Sequence, residues 1–183
     1  MRITGGEARG RCITSPEGLA VRPTGAKIRQ ALFNILSARI EGARFLDVFA
    51  GTGLMGLEAL SRGCNDVVFI EESRRMTEAI HSSLTVLGYE AKVMTGDFRR
   101  LLPAFGPQEF DIIFADPPYK SPFGKLLVEA VERHDLLAEG GVLVVEHLRG
   151  NQLPVGISLL QKVDQRFYGQ TGLSFFRKTQ ENC

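Results

Sequence analysis

Cysteine is scarce in this chain: there are three in 183 residues, Cys12, Cys64 and Cys183, and no Cys-x-x-Cys pair. Histidine is as scarce, with His81, His134 and His147 alone, and the two residue types together offer no metal-ligand spacing. No metal site and no disulfide framework are therefore expected, and reduced thiols in the cytoplasm are the simplest expectation. No apolar run reaches membrane-spanning length, and the opening Met1-Arg2-Ile3-Thr4-Gly5 does not read as a signal peptide, so no membrane partner is expected. Internal repeats, low-complexity tracts and long linkers are missing too.

What is present suits one ordinary globular domain, with 44% apolar and 23% charged residues. The expected organisation is a single domain over 1–183, with a basic arm at 1–24 and a helix plus α/β body at 25–183. The net charge of +1 conceals an asymmetry. Residues 1–44 hold Arg2, Arg9, Arg11, Arg22, Lys27, Arg29, Arg39 and Arg44 against Glu7, Glu17 and Glu41, a net +5, while the remainder carries 14 basic and 18 acidic residues. A basic arm on a mildly acidic body suggests a polyanion partner, although a solvated basic surface would look the same.

The arm reads as a small hairpin, roughly Arg2–Gly5 against Arg11–Thr14. Thr24 is placed to cap a helix in which Ile28, Leu32, Phe33, Ile35 and Leu36 recur at helical spacing. Strands and helices then alternate. Phe45–Phe49, Val67–Ile70, Ala91–Met94, Phe110–Ala115 and Val142–Val145 are short apolar runs that suit buried strands. Leu54–Ser61, Arg74–Leu87, a short stretch near Arg99–Phe105, and Phe123–Leu137 lie between them as helices. Such alternation predicts a mostly parallel, doubly wound α/β sheet. Ile157–Gln165 and Leu173–Arg177 suggest a closing antiparallel hairpin.

The first strand runs into Asp47-Val48-Phe49-Ala50-Gly51-Thr52-Gly53-Leu54-Met55-Gly56, with a helix behind it. Ligands of open α/β sheets bind beyond the carboxyl ends of the strands. Gly51 and Gly53 let the backbone turn and approach a ligand, and the helix N-terminus offers free N–H groups. Gly51-x-Gly53-x-x-Gly56 also fits a dinucleotide fingerprint, with Glu71 where a ribose-binding acid belongs. The loop alone leaves a nicotinamide enzyme and a methyltransferase both open. Asp47 favours the second, because a carboxylate repels a pyrophosphate and suits the cationic methionyl end of S-adenosylmethionine. Glu71 suits two ribose hydroxyls. Asp97, in Gly96-Asp97-Phe98, suits an adenine amino group or, equally simply, a helix cap, and Phe98 is a candidate ring for stacking on the base.

The fourth strand ends in Asp116-Pro117-Pro118-Tyr119. Two prolines fix the backbone and lack N–H donors, so carbonyls at the sheet end are left to accept. An amino group can give one hydrogen to the Asp116 side chain and one to the Pro117 carbonyl. That grip aims the nitrogen at an electrophile and draws its lone pair out of conjugation. Tyr119 offers a face on which a base stacks.

These residues resemble a family. An acid or amide followed by Pro-Pro and an aromatic marks class I methyltransferases acting on exocyclic or amide nitrogens. Arg22-Pro23-Thr24 with Ile28-Arg29-Gln30-Ala31-Leu32-Phe33-Asn34 is similar to the amino-terminal signature of the bacterial 16S ribosomal RNA (guanine-966-N2)-methyltransferases. So are Phe45–Gly53, Gly56-Leu57-Glu58-Ala59-Leu60-Ser61-Arg62-Gly63, the opening Arg2–Gly6 with Arg9-Gly10-Arg11, and the late Tyr168-Gly169-Gln170-Thr171. Ala26, Lys27 and Gln30 depart from that pattern, all on the basic helix rather than in the glycine loop.

The resemblance implies a Rossmann-like class I methyltransferase fold with a seven-stranded sheet. It implies S-adenosylmethionine held by Asp47, Phe49, Gly51, Thr52, Gly53, Glu71, Asp97 and Phe98, and an amine site at Asp116, Pro117, Pro118 and Tyr119. The implied partner is 16S ribosomal RNA within an assembling or assembled small subunit, with phosphates on Arg9, Arg11, Arg22, Lys27 and Arg29. The target base has to leave its stack to reach a sheet-end pocket. A nicotinamide oxidoreductase leaves the tetrapeptide without a use. A DNA adenine-N6 methyltransferase shares it but usually carries a separate recognition domain. A non-enzymatic RNA-binding module does not need an intact loop and tetrapeptide. The three histidines read as surface or core residues.

Overall fold

The computed structural model describes residues 1–13, 24–119, 121–151 and 153–179. They fall into two compact units, Met1–Phe98 and Arg99–Cys183.

In the first unit, β1 (Arg44–Val48), β2 (Asp66–Glu71) and β3 (Lys92–Thr95) form parallel pairs in the order β3-β2-β1. Helices α1 (Ala26–Ile35), α2 (Ser37–Ile40), α3 (Leu54–Ser61) and α4 (Arg74–Leu87) accompany them. Phe45, Leu46, Val48, Val67 and Phe69 are wholly or almost wholly buried, which is why β1 and β2 read as continuous apolar runs. Every residue of α3 is buried, including its charged Glu58.

Glu58 explains how the N-terminal segment is attached. Its carboxylate is 0% exposed and accepts from the Thr4 amide (2.8 Å), the Thr4 hydroxyl (2.5 Å) and the Arg62 guanidinium (2.8 and 3.0 Å). The Arg29 guanidinium of α1 lies 3.9 Å away. Next to this cluster, the Glu7 amide donates to the Ser61 carbonyl and the Ala8 amide to the Ser61 hydroxyl, which itself donates to the Gly5 carbonyl. The approach is so close that a Cβ on Gly6 (φ +76°) would lie 1.7 Å from the Ser61 carbonyl oxygen. The expected hairpin reduces to an Arg2–Cys12 bridge, supported by Ile3–Arg11, Gly10–Ile3 and Ile13–Met1 backbone bonds; Thr14 lies outside the described residues.

The Thr24 cap expectation is corrected. Helical geometry starts one residue later, so Gly25 is the N-cap and no side chain caps α1; the Thr24 carbonyl instead accepts from Arg29 at 2.6 Å.

The second unit holds α5's last three residues (α5 is Phe98–Leu101), a 3-10 turn at Leu102–Ala104, β4 (Phe110–Ala115), α6 (Phe123–Arg133), β5 (Leu137–Leu148), β6 (Gly156–Ile157), β7 (Leu160–Tyr168) and β8 (Thr171–Lys178). Its strand order is β4-β5-β8-β7-β6. β4 and β5 are parallel, whereas β5–β8, β8–β7 and β7–β6 are antiparallel. β7 bulges between Lys162 and Asp164, and β6 pairs with it only at Leu160 and Gln161. α6 ends at Arg133 rather than Leu137, and β5 begins at Leu137 rather than Val142. A left-handed Asp135 (φ 49°) breaks the helix, and a register shift opposite Gly140 lets Leu137 pair with Phe110 before Val142 pairs with Ile112.

Removing one member of a buried ion cluster leaves the others uncompensated. Glu58→Ala is therefore expected to cost about 3–5 kcal/mol in urea denaturation, and Arg62→Ala less, because its side chain is 18% exposed. A Glu58→Ala loss below about 1 kcal/mol would show that the N-terminal segment is held by something else.

Candidate functional site

The glycine loop leaves β1 at Phe49, whose φ of 63° is unusual for a side chain of that size. The Ala50 amide donates to the Ile70 carbonyl, and Gly53, in left-handed conformation, becomes the N-cap of α3. Two carboxylates fix this turn from the strands beside it. Asp47, on β1 and 1% exposed, accepts from the Gly56 amide at 2.9 Å, taking one of the free N–H groups of α3's first turn. Glu71, at the end of β2, accepts from the Gly51 amide at 2.7 Å and from the Ser73 amide at 2.9 Å. Each oxygen has then used one bond, and a carboxylate oxygen can take two.

Burial pushes the Asp47 carboxyl up to about 7, with the negative Glu71 adding to the rise and the Gly56 N–H opposing it. A positive group arriving at this rim is favoured; a phosphate is not. Gly51 has φ +55°, and a Cβ built there meets nothing within 4 Å, so the outer side of the loop is open for a ligand to reach the backbone. Open backbone, ribose-compatible Glu71 and an Asp47 carboxyl that a nearby cation holds ionised fit a nucleoside carrying a cationic sulfonium.

Other expectations for the loop change in detail. Thr52 is 3% exposed, its hydroxyl 3.9 Å from the Met1 sulfur. Asp97 is half-buried at the start of α5. Phe98 is corrected from a stacking ring to a supporting one: it is 3% exposed, with its centroid 4.9 Å from that of the half-buried Phe49.

In the second unit, Asp116 and Tyr119 are half-buried, Pro117 is buried and Pro118 exposed. Pro117, Pro118 and Tyr119 line a cavity of about 690 Å³ with Glu146, His147 and Asn151. The Tyr119 hydroxyl donates to Glu146 at 3.0 Å, and the Asn151 side-chain amide donates to the Tyr119 carbonyl. Burial first, then the charges of Asp116 and Glu146, raise the Tyr119 phenol above its ordinary range, so it stays a neutral donor. His147 is 3% exposed and held by the Leu148 carbonyl (2.8 Å) and the Ser174 hydroxyl (2.9 Å). It is a core residue, and its burial lowers its pKa.

The basic arm is where structure and sequence disagree most. Arg29 is 3% exposed, and its guanidinium donates to the Thr24 and Arg2 carbonyls beside Glu58, so no phosphate reaches it. Arg11 keeps solvent exposure, but its guanidinium is engaged by the Val86 and Leu87 carbonyls at the end of α4. Such a cation suits a helix C-terminus. Arg9 and Lys27 are exposed. Arg22 lies outside the described residues.

The chain matches the family described as conserved hypothetical protein 95 over residues 1–177. It belongs to that family. The Bacillus subtilis (strain 168) protein YlbH is 35% identical over 182 residues, 97% of this chain and 99% of that one. Ribosomal RNA small subunit methyltransferase D of Escherichia coli (strain K12) is 34% identical over 155 residues, 84% of this chain and 78% of that one. The solved structure of Escherichia coli yhhF superposes with a TM-score of 0.87 at 32% identity, covering 98% of both chains. The fold is accordingly the expected Rossmann-like class I methyltransferase fold with its C-terminal antiparallel hairpin; the two-residue β6 adds to the seven strands anticipated.

Sequence reading missed Glu146 and Asn151, which hold the Tyr119 hydroxyl and carbonyl. Glu146 had a signal: it is an acid ending an apolar strand, at the sheet end where ligands bind. Asn151 had none.

The Asp47 carboxyl yields a pH test. Its folded-state value, about 7, is above the ordinary 3.8, so the folded form binds the proton more tightly. Its contribution to stability is complete below about pH 4 and is lost as pH rises through about 7. Asp47→Asn keeps an oxygen for the Gly56 amide and cannot titrate. Urea denaturation across that range is expected to give a flatter stability profile for the variant. An identical profile would assign the titration to another group.

Proposed function

We propose that this chain is an S-adenosylmethionine-dependent methyltransferase acting on the exocyclic N2 of guanine-966 in 16S ribosomal RNA. The observation carrying the reading is the Asp116-Pro117-Pro118-Tyr119 tetrapeptide, whose last three residues line a cavity of about 690 Å³, in a chain 34% identical to a protein named for small-subunit ribosomal RNA methylation. The RNA is met on an assembling or assembled small subunit in the cytoplasm.

When bound, the cofactor supplies a methyl group on an electrophilic sulfonium. Gly51, Thr52 and Gly53 give it backbone, Glu71 its ribose contacts, Phe49 an apolar wall and Asp47 a compensating charge; Asp97 is the candidate partner for the adenine amino group. In the second unit the flipped guanine lies on Tyr119. The Asp116 carboxylate and the Pro117 carbonyl each accept one hydrogen of its amino group, which turns the nitrogen lone pair out of the ring. Glu146 holds the Tyr119 hydroxyl and Asn151 its carbonyl, so the ring meets the base already oriented. In this reading 1–183 acts as one catalytic domain in which Asp116 and Pro117 hold the amine aligned for the methyl group, and the proton the nitrogen sheds as the new bond forms goes to Asp116 or to water. Alignment of this kind is worth about 7–11 kcal/mol of the barrier, and no nucleophilic side chain is called on.

The direct test is mass analysis of 16S ribosomal RNA from cells lacking the protein. One N2-methylguanine is expected to vanish, and an unchanged set of methylguanines would refute the substrate. In vitro, Asp116→Ala is expected to lose single-turnover methylation while calorimetric affinity for the cofactor stays within about threefold. Tyr119→Phe keeps the ring and loses one hydrogen bond, so the rate is expected to fall about 2- to 10-fold. Tyr119→Ala removes the stacking face and is expected to cost at least about 10-fold more. Wild-type turnover in Asp116→Ala would overturn the amine grip.

A further inference from the structure

The turn Tyr168-Gly169-Gln170-Thr171, between β7 and β8, takes no part in the reaction just described, yet it is tied to the cavity at several points. Thr171 pairs with Leu148 of β5, next to the cavity-lining His147. The Arg149 amide donates to the Gln170 carbonyl at 2.8 Å, and the Arg149 guanidinium to the Gly169 carbonyl at 3.4 Å. Gly150 and Asn151, which follow Arg149 in the chain, line the cavity.

On the solvent side of this junction the Arg149 guanidinium lies 5.0 Å from the centroid of Phe167. Both residues are exposed, Phe167 to 41%, and the Phe167 and His147 rings stand nearly perpendicular with their centroids 6.3 Å apart. An aromatic ring left in water with a cation stacked on it, here beside the cavity-lining His147 and Gly150, is a recurrent arrangement for single-stranded nucleic acid: the cation takes a phosphate and the ring packs a base. Two of the arginines expected to hold phosphates in the N-terminal segment are otherwise engaged, Arg29 buried against Glu58 and Arg11 on the end of α4.

We infer that Arg149 and Phe167 form a ledge for the RNA nucleotide next to the methylated guanine. Arg149 binds its phosphate, and the exposed part of the Phe167 ring packs against its base. Phe167 also holds the guanidinium flat, so the cation is presented without having to be ordered on binding. The ledge rests on the RNA methyltransferase reading above, and it assigns to the C-terminal hairpin a contact that the charge pattern had assigned to the N-terminal arm.

The experiment is anisotropy binding of a fluorescein-labelled 16S fragment spanning the target guanine, across a salt series, with calorimetric cofactor binding and melting curves alongside. Arg149→Ala is expected to weaken RNA binding about tenfold and to lower the slope of log affinity against log salt by about 0.7–0.9. Arg149→Lys is expected to keep the slope. Phe167→Ala is expected to weaken binding about tenfold with the slope nearly unchanged. Cofactor affinity is expected to stay at the wild-type value in all three. An unchanged slope in Arg149→Ala, with or without a lower melting temperature, overturns the ledge. Wild-type protein that binds the fragment and never methylates it refutes the reaction while the slopes still decide the ledge; wild-type protein that does not bind it refutes both.

Discussion

The first unit is assembled around one buried negative charge. A carboxylate in a protein interior is costly unless it is surrounded by partners, and Glu58 is surrounded by three that come from different parts of the chain. Thr4 brings the N-terminal segment, Arg29 brings α1, and Arg62 closes the ring from the C-cap of α3. The dependence runs both ways: burial lowers the Arg29 pKa and Glu58 opposes that fall, while the Arg29 Nε makes no hydrogen bond of its own. Because α3 follows directly from the glycine loop, whatever pins α3 also pins the loop.

The same logic recurs at smaller scale on the loop. Asp47 reaches from β1 to the Gly56 amide and Glu71 from β2 to the Gly51 amide, so the turn is held by side chains of the strands it extends. A ligand meets backbone groups already fixed, and little ordering is left to be done on binding. Tyr119 is prepared in the same way, with its hydroxyl held by Glu146 and its carbonyl by Asn151.

How much of this was readable in advance follows from where the information resides. Leu54–Ser61, Arg74–Leu87 and Phe110–Ala115 have the bounds that periodicity and apolar runs suggest, because burial alone decides them. The start of α1, the end of α6 and the long β5 were misjudged, because each turns on one backbone conformation, at Gly25, Asp135 or Gly140. The glycine loop and the tetrapeptide were legible as local strings. Arg29 was not: an arginine in a basic stretch looks the same in sequence whether it faces water or an acid 29 positions later. Glu146 is likewise separated by 27 positions from the tyrosine it holds, and only the strand order joins them.

β7 carries a further consequence. β6 covers it only at Leu160 and Gln161, so most of its length has a paired side toward β8 and a side that β6 does not reach. A straight, apolar stretch of that kind would recruit a strand from another copy of the chain. Here the bulge at Lys162–Asp164 bends the strand, and Lys162, Asp164 and Arg166 place charge along it, with Asp164 and Arg166 paired at 2.9 Å. The bulge and the charged side chains thus make β7 a poor template for a further strand.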